Sequence, residues 1–408
     1  MKYIVIIGDG MADYKLPELN NKTPLEVAYT PNLDFMVKQG VIGTAIIIPE
    51  DLSPGSDVGI LSVLGYDPVL YPMGRGALEA AGLGIKLKKA DVAYRCNLVT
   101  LEGDILKDYC AGHISSEEAE ELIIALNNEL STDSIVFYPG VSYRHLMVHT
   151  GGSETLQCTR PHDIIGEKYA QYLPEEARGQ EGKGAREQEV IRKLMERSKD
   201  VLSAHPVNQK RISLGKLPAN SIWLWGQGKP PSMPKYAEKY GVKGAVISAV
   251  DLLRGIGYYA GLDIIKVPGA TGYLDTNYKG KALYALGALK DHDFVLIHVE
   301  APDETSHAGD IDGKIEAIEA LDSKVIGTIL CEIENFREYR MLTLPDHLTP
   351  IPLRKHIHGQ VPFVAYGTEI YPNGFTEYSE AVAAKSSLHF DKGFRLMEWF
   401  IKRQDTTD

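Results

Sequence analysis

The chain has 408 residues, a formal net charge of −12 and a hydrophobic content of 44%. This length exceeds a single compact core and predicts two or three domains of an ordinary globular protein. The acidic balance argues against non-specific nucleic-acid binding and against attachment to anionic membranes, because both need a basic surface. The four widely spaced cysteines include no CxxC pair, which argues against a disulfide framework and a zinc ribbon and favours a reducing cytoplasm. None of these values indicates an oligomeric state.

The N-terminal segment has the pattern of an α/β core. Residues 2–7 are a β-branched run that ends in Gly-Asp-Gly and predicts a buried strand. This run is too short for a membrane span and lacks the cleavage region of a signal peptide. Residues 23–40 predict one helix, with Thr23 as its cap, Pro24 at its first position and Gly40 beyond its end. Residues 41–48 predict the next strand.

A β-rich block of different character follows, at roughly residues 75–180. A hairpin that turns at Glu-Gly-Asp is predicted by the segment ADVAYRCNLVTLEGDILKDYCAG. A capped helix is predicted by SSEEAEELIIALNNEL, and two strands are predicted by SIVFYPGVSYRHLMVHTGG. The charged stretch after it predicts a linker and then a solvated helix. We therefore predict a first core segment at 1–74, an inserted α+β domain with its linker helix at 75–205, and a second core segment at 206–408.

The C-terminal part returns to alternating strands and helices. The runs DFVLIHVE, YRMLTLPDH and VPFVAYG predict strands, and DGKIEAIEALDSKVIGTILCEI predicts a helix. This alternation at both ends of the chain indicates a doubly wound α/β sheet with functional groups at the carboxyl ends of its strands.

The stretch SPGSDVGILSVLGYDP allows two interpretations of Ser56. Ser and Asp before an apolar helix are the usual N-cap residues, because their side-chain oxygens accept backbone N–H bonds. A serine at a helix N-terminus is also well placed as a nucleophile that carries an anion. The stretch alone does not decide between the two.

Carboxylates and imidazoles cluster at predicted strand ends. Asp9 ends the first strand, Asp303 and His307 are four residues apart after a later strand, and Asp346-His347 follow the next. Such groups also occur in polar loops and helix starts. Oxygen and nitrogen ligands without thiolate suit Mn²⁺ or Zn²⁺, with Mg²⁺ as an alternative, and a pair of such ions is suited to phosphoryl transfer.

Several motifs in order resemble one family over nearly the whole chain. They are GDGMAD, ELNNKTPLEVAYTPNLDFM, PGSDVGILSVLGYDP, GRGALEA, DVAYRCNLVT, PGVSYRHL, HPVN, FVLIHVEAPDETSHAGD and LPDHLTP. The chain is similar to the archaeal-type cofactor-independent phosphoglycerate mutases of the alkaline phosphatase superfamily. The resemblance implies an alkaline-phosphatase-like core with an inserted cap domain that closes over a small phosphorylated substrate. It also implies two divalent metal ions and no 2,3-bisphosphoglycerate primer.

The resemblance implies a role for each candidate ligand. Ser56 would accept the phosphoryl group and contact the first metal ion, with Ser53 as the fallback. The other ligands implied for the first ion are Asp9, Asp346 and His347. The ligands implied for the second ion are Asp303, His307 and the histidine five residues before Val361, which is His356. His358 is then a spare imidazole.

Substrate-holding residues are implied mainly in the inserted block. Arg95, Arg144 and His145 match family positions near the substrate, and Arg211 is a further candidate. His113 stands where relatives often have arginine. Arginine binds carboxylate and phosphate through paired N–H groups, although each of these arginines could equally be a structural ion-pair partner.

The residue sequence of some motifs departs from the archaeal pattern. Glu300 stands where archaeal relatives commonly have lysine, and IIGDGMADY with NSIWLWGQG is closer to a bacterial subgroup that has been proposed to act as homoserine kinases. A phosphotransferase acting on homoserine is therefore the alternative to a mutase, although the chain has no G-x-x-x-x-G-K-[ST] loop for a nucleotide. A phosphatase using the same serine and metals is a further alternative.

Overall fold

The computed structural model describes residues 1–177, 182 and 184–402. Its strands are β1 Lys2–Gly8, β2 Val41–Ile46, β3 Asp91–Glu102, β4 Ile105–Asp108, β5 Ile135–Val141, β6 Arg144–Thr150, β7 Leu156–Gln157, β8 Glu175–Glu176, β9 Ser221–Gly228, β10 Gly244–Ile247, β11 Asp263–Ile265, β12 Phe294–Val299, β13 Tyr339–Leu344, β14 Gln360–Gly367 and β15 His389–Phe390.

Its α-helices are α1 Pro24–Val27, α2 Pro31–Gln39, α3 Ser56–Val63, α4 Arg75–Gly82, α5 Ser116–Leu130, α6 Ala185–Ser203, α7 Pro206–Ser213, α8 Tyr236–Tyr240, α9 Asp251–Ala260, α10 Tyr278–Ala288, α11 Ala301–Ala308, α12 Ile311–Ala320, α13 Gly327–Ile333, α14 Glu380–Ala383 and α15 Phe394–Lys402. A π-helical segment, Leu321–Ile326, joins α12 to α13. Across the described part of the chain, no helix has the length and apolar character that crossing a bilayer requires.

The described residues form two compact units. Unit 1 combines Met1–Pro72 with the described residues from Ser232 onward, and unit 2 is Met73–Pro231. The predicted inserted domain ended at residue 205, whereas unit 2 continues to Pro231. The reason is that β9 pairs antiparallel with β3, a contact that sequence periodicity alone does not reveal. The predicted linker falls partly on residues 178–181 and 183, which lie outside the described residues.

Unit 1 is built on a mixed sheet whose described strands have the order β11-β10-β12-β1-β13-β14-β2-β15. Five neighbouring strands in this order, β11, β10, β12, β1 and β13, are parallel to one another. Strand β14 runs antiparallel to both β13 and β2. The carboxyl ends of β1, β12, β13 and β2 therefore share one edge with the amino end of β14. This edge is where polar groups after the parallel strands come together.

The centre of the sheet is buried on both faces. Ile4, Val5, Ile6 and Ile7 of β1 are fully buried. Ile4 and Ile6 belong to the apolar cluster that includes residues of α2, α10 and α12. Strands covered on both faces appear in a sequence as continuous apolar runs, which is why β1, β12 and β13 were predictable.

The predicted helix over residues 23–40 is interrupted. Thr23 accepts the backbone N–H of Glu26, and the Glu26 side chain accepts the N–H of Thr23, so α1 begins with the predicted cap. The helix ends at Val27, and α2 starts at Pro31. A proline disfavours helical backbone in the residue before it, here Thr30, and it cannot continue the hydrogen-bond ladder.

Unit 2 contains the predicted hairpin, helix and strand pair. Its main sheet has the described order β4-β3-β6-β5, and β9 also pairs with the long strand β3. Gly103, in the turn between β3 and β4, has a φ of 60°, which suits glycine. Ser115 caps α5 by accepting the N–H of Glu118. Apolar side chains of α5 and α6 pack in one cluster with those of β3 and β9.

A buried ion pair supports the loop after β13 in unit 1. The Nζ of Lys314, on α12, donates to Oδ2 of Asp13 at 2.8 Å and to the carbonyl of Thr349 at 3.1 Å, and both charged side chains are fully buried. Asp13 also accepts the backbone N–H of Ile351. The pair therefore holds residues 349–351 against the first turn after β1.

Replacing one partner of this pair should destabilise the protein strongly. Lys314→Met leaves the Asp13 carboxylate buried without its cation, which costs about 3–5 kcal/mol in the free energy of unfolding. Urea unfolding of Lys314→Met, compared with Lys279→Met, would measure this loss. Lys279 is the control because it is an exposed lysine on α10. Equal unfolding midpoints for the two variants would contradict the structural role of the pair.

Candidate metal centre

The predicted ligands converge at the edge of the sheet described above. Asp9 follows β1, Asp303 and His307 lie on α11 directly after β12, and Asp346 and His347 follow β13. His356 precedes β14, which runs antiparallel and so starts at the same edge. Ser56 begins α3, which follows β2. All of these residues belong to unit 1.

The first group of ligand atoms comes from Asp9, Asp346 and His347, whose atoms lie within 4.8 Å of one another. His347 Nε2 is 3.5 Å from Asp9 Oδ1 and 3.4 Å from Asp346 Oδ2. Among the described residues, neither of these buried carboxylate oxygens has a hydrogen-bond partner. Burial, followed by the charges of Asp346 and Asp303, raises the pKa of Asp9 well above its usual value. Buried carboxylates that repel each other are stabilised by a cation, so this group fits a metal ion.

The second group comes from Asp303, His347 and His356, with His307 beside it. His307 Nε2 lies 3.2 Å from Asp303 Oδ2 and 2.9 Å from His356 Nε2. His307 Nδ1 is 2.9 Å from the carbonyl of Arg354. A carbonyl only accepts, so Nδ1 carries the proton and the neutral ring presents the Nε2 lone pair to the group. Two imidazole nitrogens facing each other at 2.9 Å need a proton or a metal ion between them.

In the absence of metal, the electrostatics of the second group favour an ionised Asp303 paired with a protonated His307. Burial opposes ionisation of Asp303, but hydrogen bonds from His307 and His356 outweigh it and hold the pKa of Asp303 well below its usual value. The hydrogen bond to Asp303 raises the pKa of His307 to about 9, against the opposing effect of burial. A divalent ion would take the place of the protons on these imidazoles.

Thr349 connects the two groups and was not identified from the sequence. Its Oγ1 lies 2.6 Å from Asp303 Oδ1 and 3.1 Å from His347 Nδ1. An ionised carboxylate only accepts, so the Thr349 hydroxyl donates to Asp303 and accepts the Nδ1–H of His347. The lone pair of His347 is thereby fixed on Nε2, the atom that faces the carboxylates. A threonine two residues after a ligand histidine is the signal that could have identified it.

Removing this hydroxyl should weaken both groups. Thr349→Val has a similar shape but leaves Asp303 Oδ1 and His347 Nδ1 without this partner. We expect a loss of about 1–3 kcal/mol in the free energy of unfolding and an affinity for Mn²⁺ that is roughly 10–100-fold lower. Urea unfolding and titration calorimetry would measure the two effects. Thr349→Ser, which keeps the hydroxyl, is the control, and a Thr349→Val protein that binds Mn²⁺ as tightly as Thr349→Ser would contradict this role.

Ser56 is not the helix cap. The N-cap of α3 is Gly55, and Ser56 is the first helical residue. Its Oγ lies 3.2 Å from His347 Nε2, so its hydroxyl faces the first group of ligands. Ser53, the fallback, is exposed. The positive end of α3 adds an environment that stabilises an anion on Ser56.

His298 and His358 have different surroundings. His298 is buried on β12, and its Nε2 lies 2.8 Å from Asp9 Oδ2, so it contacts Asp9 directly. Burial lowers the pKa of His298 to about 3. His358 Nε2 is 2.8 Å from the carbonyl of Leu52, and the side chain is exposed. His358 belongs to neither ligand group.

Three of the predicted substrate residues lie near aromatic rings of unit 2. Arg95 is only 9% exposed, lies 2.9 Å from Glu79, and has its guanidinium 4.2 Å from the centroid of the Trp225 ring. Arg144 is exposed, 5.3 Å from the Tyr143 ring. His113 packs edge-on against the same Tyr143 ring and is exposed.

The other two predicted substrate residues are more deeply buried. Arg211 is 2% exposed and donates to Glu118 and to the carbonyls of Ala111 and Leu217. Its guanidinium joins α7 to α5 and to the loop before it, which is a structural role, and its predicted contact with substrate stays a prediction. His145 is 1% exposed, and burial lowers its pKa to about 4. His145 directly follows Arg144 on β6, and the change from exposed to buried between these two neighbours was not predicted.

Comparisons with known proteins agree on one family. The sequence model of the family described as 2,3-bisphosphoglycerate-independent phosphoglycerate mutase matches residues 37–208. A protein of Geobacter sulfurreducens named probable 2,3-bisphosphoglycerate-independent phosphoglycerate mutase is 50% identical over 99% of this chain and 100% of its own length. A Methanosarcina mazei protein named 2,3-bisphosphoglycerate-independent phosphoglycerate mutase is 54% identical over 90% of this chain and 91% of its own length.

Solved structures share the fold. The PH0037 protein of Pyrococcus horikoshii aligns with a TM-score of 0.83 at 28% identity, covering 100% of this chain and 99% of its own. The cofactor-independent phosphoglycerate mutase of Thermoplasma acidophilum aligns with a TM-score of 0.71 at 27% identity, covering 99% of this chain and 100% of its own. These structures confirm the predicted α/β fold class. On the strength of relatives that match over almost its entire length, the chain belongs to the 2,3-bisphosphoglycerate-independent phosphoglycerate mutases.

Proposed function

We propose that this chain interconverts 3-phosphoglycerate and 2-phosphoglycerate through a phosphoserine at Ser56. The observation that carries the proposal is the Ser56 hydroxyl, 3.2 Å from the nitrogen of His347 that also faces the buried carboxylates of Asp9 and Asp346. Relatives at 50% identity or more are named as phosphoglycerate mutases, which supports a mutase over the homoserine kinase and phosphatase alternatives.

The ligand atoms support two divalent ions. Asp9, Ser56, Asp346 and His347 would hold one ion, and Asp303, His307 and His356 would hold the other. Mn²⁺ and Zn²⁺ match these oxygen and nitrogen donors, with Mg²⁺ as the alternative. Bound ions would lower the pKa of the serine hydroxyl and neutralise charge on the phosphoryl oxygens. No 2,3-bisphosphoglycerate is needed, because Ser56 itself stores the phosphoryl group.

The residues of the chain account for the steps of the exchange. Ser56 Oγ loses its proton and forms a bond to phosphorus, while the bond from phosphorus to the 3-oxygen of the substrate breaks and that oxygen takes up a proton. The 2-hydroxyl of the bound glycerate then loses its proton and forms a bond to phosphorus, while the bond from phosphorus to Ser56 Oγ breaks and Oγ regains its proton. The N-terminus of α3 stabilises the phosphoserine between the two steps.

We assign recognition of the substrate anions to unit 2. Arg144 and His113 are exposed beside Tyr143, so these two side chains are suited to bind a carboxylate or phosphate. Arg95 is the weaker candidate, because it is 9% exposed and already pairs with Glu79. Unit 2 would act as the cap that excludes water, because water reaching the phosphoserine would convert the mutase into a phosphatase. The reaction belongs to glycolysis and gluconeogenesis, and we therefore propose that the protein acts in the cytoplasm.

Phosphorus NMR tests this proposal directly. Protein loaded with Mn²⁺ is incubated with 3-phosphoglycerate alone, and a second sample receives homoserine and ATP. We expect 2-phosphoglycerate without free phosphate in the first sample and no phosphohomoserine in the second. Phosphohomoserine in the second sample alone would overturn the proposed substrate, and release of free phosphate as the main product would identify a phosphatase.

A further inference from the structure

His298 lies beside Asp9 because of the register between two neighbouring strands. In the parallel pair β1 and β12, Ile7 is aligned with His298, and the backbone N–H of Asp9 donates to the carbonyl of Val299 at 2.9 Å. Side chains alternate along a strand, so Ile7 and Asp9 point to the same face as His298. The imidazole and the carboxylate therefore meet inside the protein, where both are about 1% exposed.

Asp9 and Ser248 together define which nitrogen of His298 carries the proton. Ser248 directly follows β10, and its Oγ accepts the backbone N–H of Val250 at 3.0 Å and lies 3.2 Å from His298 Nδ1. An ionised carboxylate only accepts, so the ring proton lies on Nε2, which faces Asp9, and the serine hydroxyl donates to Nδ1. Nε2 then donates to Asp9 Oδ2 at 2.8 Å. Ser248, His298 and Asp9 thus form a directed chain of hydrogen bonds.

This chain distinguishes the two oxygens of Asp9. Oδ2 is occupied by His298, whereas Oδ1 has no hydrogen-bond partner in the described part of the chain and lies 3.5 Å from His347 Nε2. Asp346 shows the same division, because its Oδ1 accepts the N–H of Gly10 and its buried Oδ2 faces His347. In Asp346 a backbone group holds the oxygen, and in Asp9 a side chain does so.

We propose that His298, oriented by Ser248, is a positioning residue that presents Oδ1 of Asp9 as the ligand atom and thereby sets the affinity of the first metal ion. This inference rests on the proposed metal centre. It assigns His298 no contact with substrate and no role at the second group, since His298 bonds to none of Asp303, His307 or His356. Partners that orient a ligand in this way change metal affinity by about 10–100-fold.

Calorimetric titration of metal-free protein with Mn²⁺ tests the inference without measuring turnover. The wild-type protein should bind two ions. His298→Ala should weaken one binding step about 10–100-fold and leave the other unchanged. His298→Gln should recover most of the affinity, because the amide nitrogen of glutamine can replace the Nε2–H donor. Ser248→Ala should give a smaller loss at the same step.

His389 supplies a matched control. Its Nδ1 lies 2.7 Å from Thr44 Oγ1 and its Nε2 2.9 Å from Asp391 Oδ1, so it forms the same hydroxyl–imidazole–carboxylate chain at the edge strand β15. His389→Ala should bind both ions like the wild type. The inference fails if folded His298→Ala or His298→Gln binds both ions normally, or if Gln is as defective as Ala. A wild-type protein that binds fewer than two ions would overturn the proposed metal centre instead.

Discussion

Ser56→Ala should abolish phosphoryl transfer while leaving Mn²⁺ binding nearly intact. The substitution removes the only atom assigned to form a bond with phosphorus, so we expect turnover to fall by about 10⁴-fold or more. The fold should persist, because Gly55 and not Ser56 caps α3. The ligands Asp9, Asp346 and His347 all remain. Coupled assay of 2-phosphoglycerate formation, together with calorimetric titration of Mn²⁺, would measure both properties.

Two further serines make this experiment decisive. Ser62→Ala removes a buried hydroxyl from the same helix and should retain full turnover. Mass spectrometry of wild-type protein quenched during turnover should detect a phosphate on the peptide that contains Ser56. If Ser56→Ala retains most of its activity, or if only Ser53→Ala loses activity, Ser56 is not the nucleophile.

Asp303→Asn should remove one of the two bound metal ions and reduce turnover by about 10³-fold or more. The amide keeps the size of the side chain but loses the negative charge that pairs with His307 and His356 at 3.2 and 3.3 Å. Bound ligand stabilises the native state by RT ln(1 + [L]/Kd), about 2.7 kcal/mol per site at 100 times Kd. Mn²⁺ should therefore raise the melting temperature of metal-free wild type more than that of Asp303→Asn.

Chelation provides the complementary measurement. Treatment of the wild type with a chelator should eliminate turnover, and Mn²⁺ should restore it. Asp312→Asn is the matched control, because Asp312 is an exposed aspartate on the neighbouring helix α12. Full activity in chelated wild-type protein, or an unchanged Mn²⁺ stoichiometry in Asp303→Asn, would contradict the two-metal proposal.

The parts of the fold that sequence predicted are those determined locally. Strands β1, β12 and β13 are predominantly apolar runs, and Thr23 with Glu26 forms a cap within four residues. The end of unit 2 was not predictable in this way, because β9 belongs to it through pairing with β3, more than a hundred residues earlier. The break in the helix at Thr30 was visible in the sequence as Pro31, although the apolar periodicity across it favoured one helix.

The same distinction applies to the candidate site. Motif resemblance brought together residues as distant as Asp9 and His356, which local patterns alone could not have connected. The role of Thr349 and the contact of His298 with Asp9 were not predicted, since both depend on contacts that only the sheet order creates. The burial of the Arg211 guanidinium is a further feature that a motif does not reveal.

The position of β1 in the sheet has a consequence for synthesis of the chain. Its two neighbours, β12 and β13, begin at Phe294 and Tyr339. At roughly 5–20 residues per second, a ribosome takes about 15–60 s to reach β12 after completing β1. During this interval the apolar residues 3–7 have no strand to pair with and favour association with other chains. The yield of folded enzyme in a cell therefore depends on how well chaperones shield the first strand until the last third of the chain emerges.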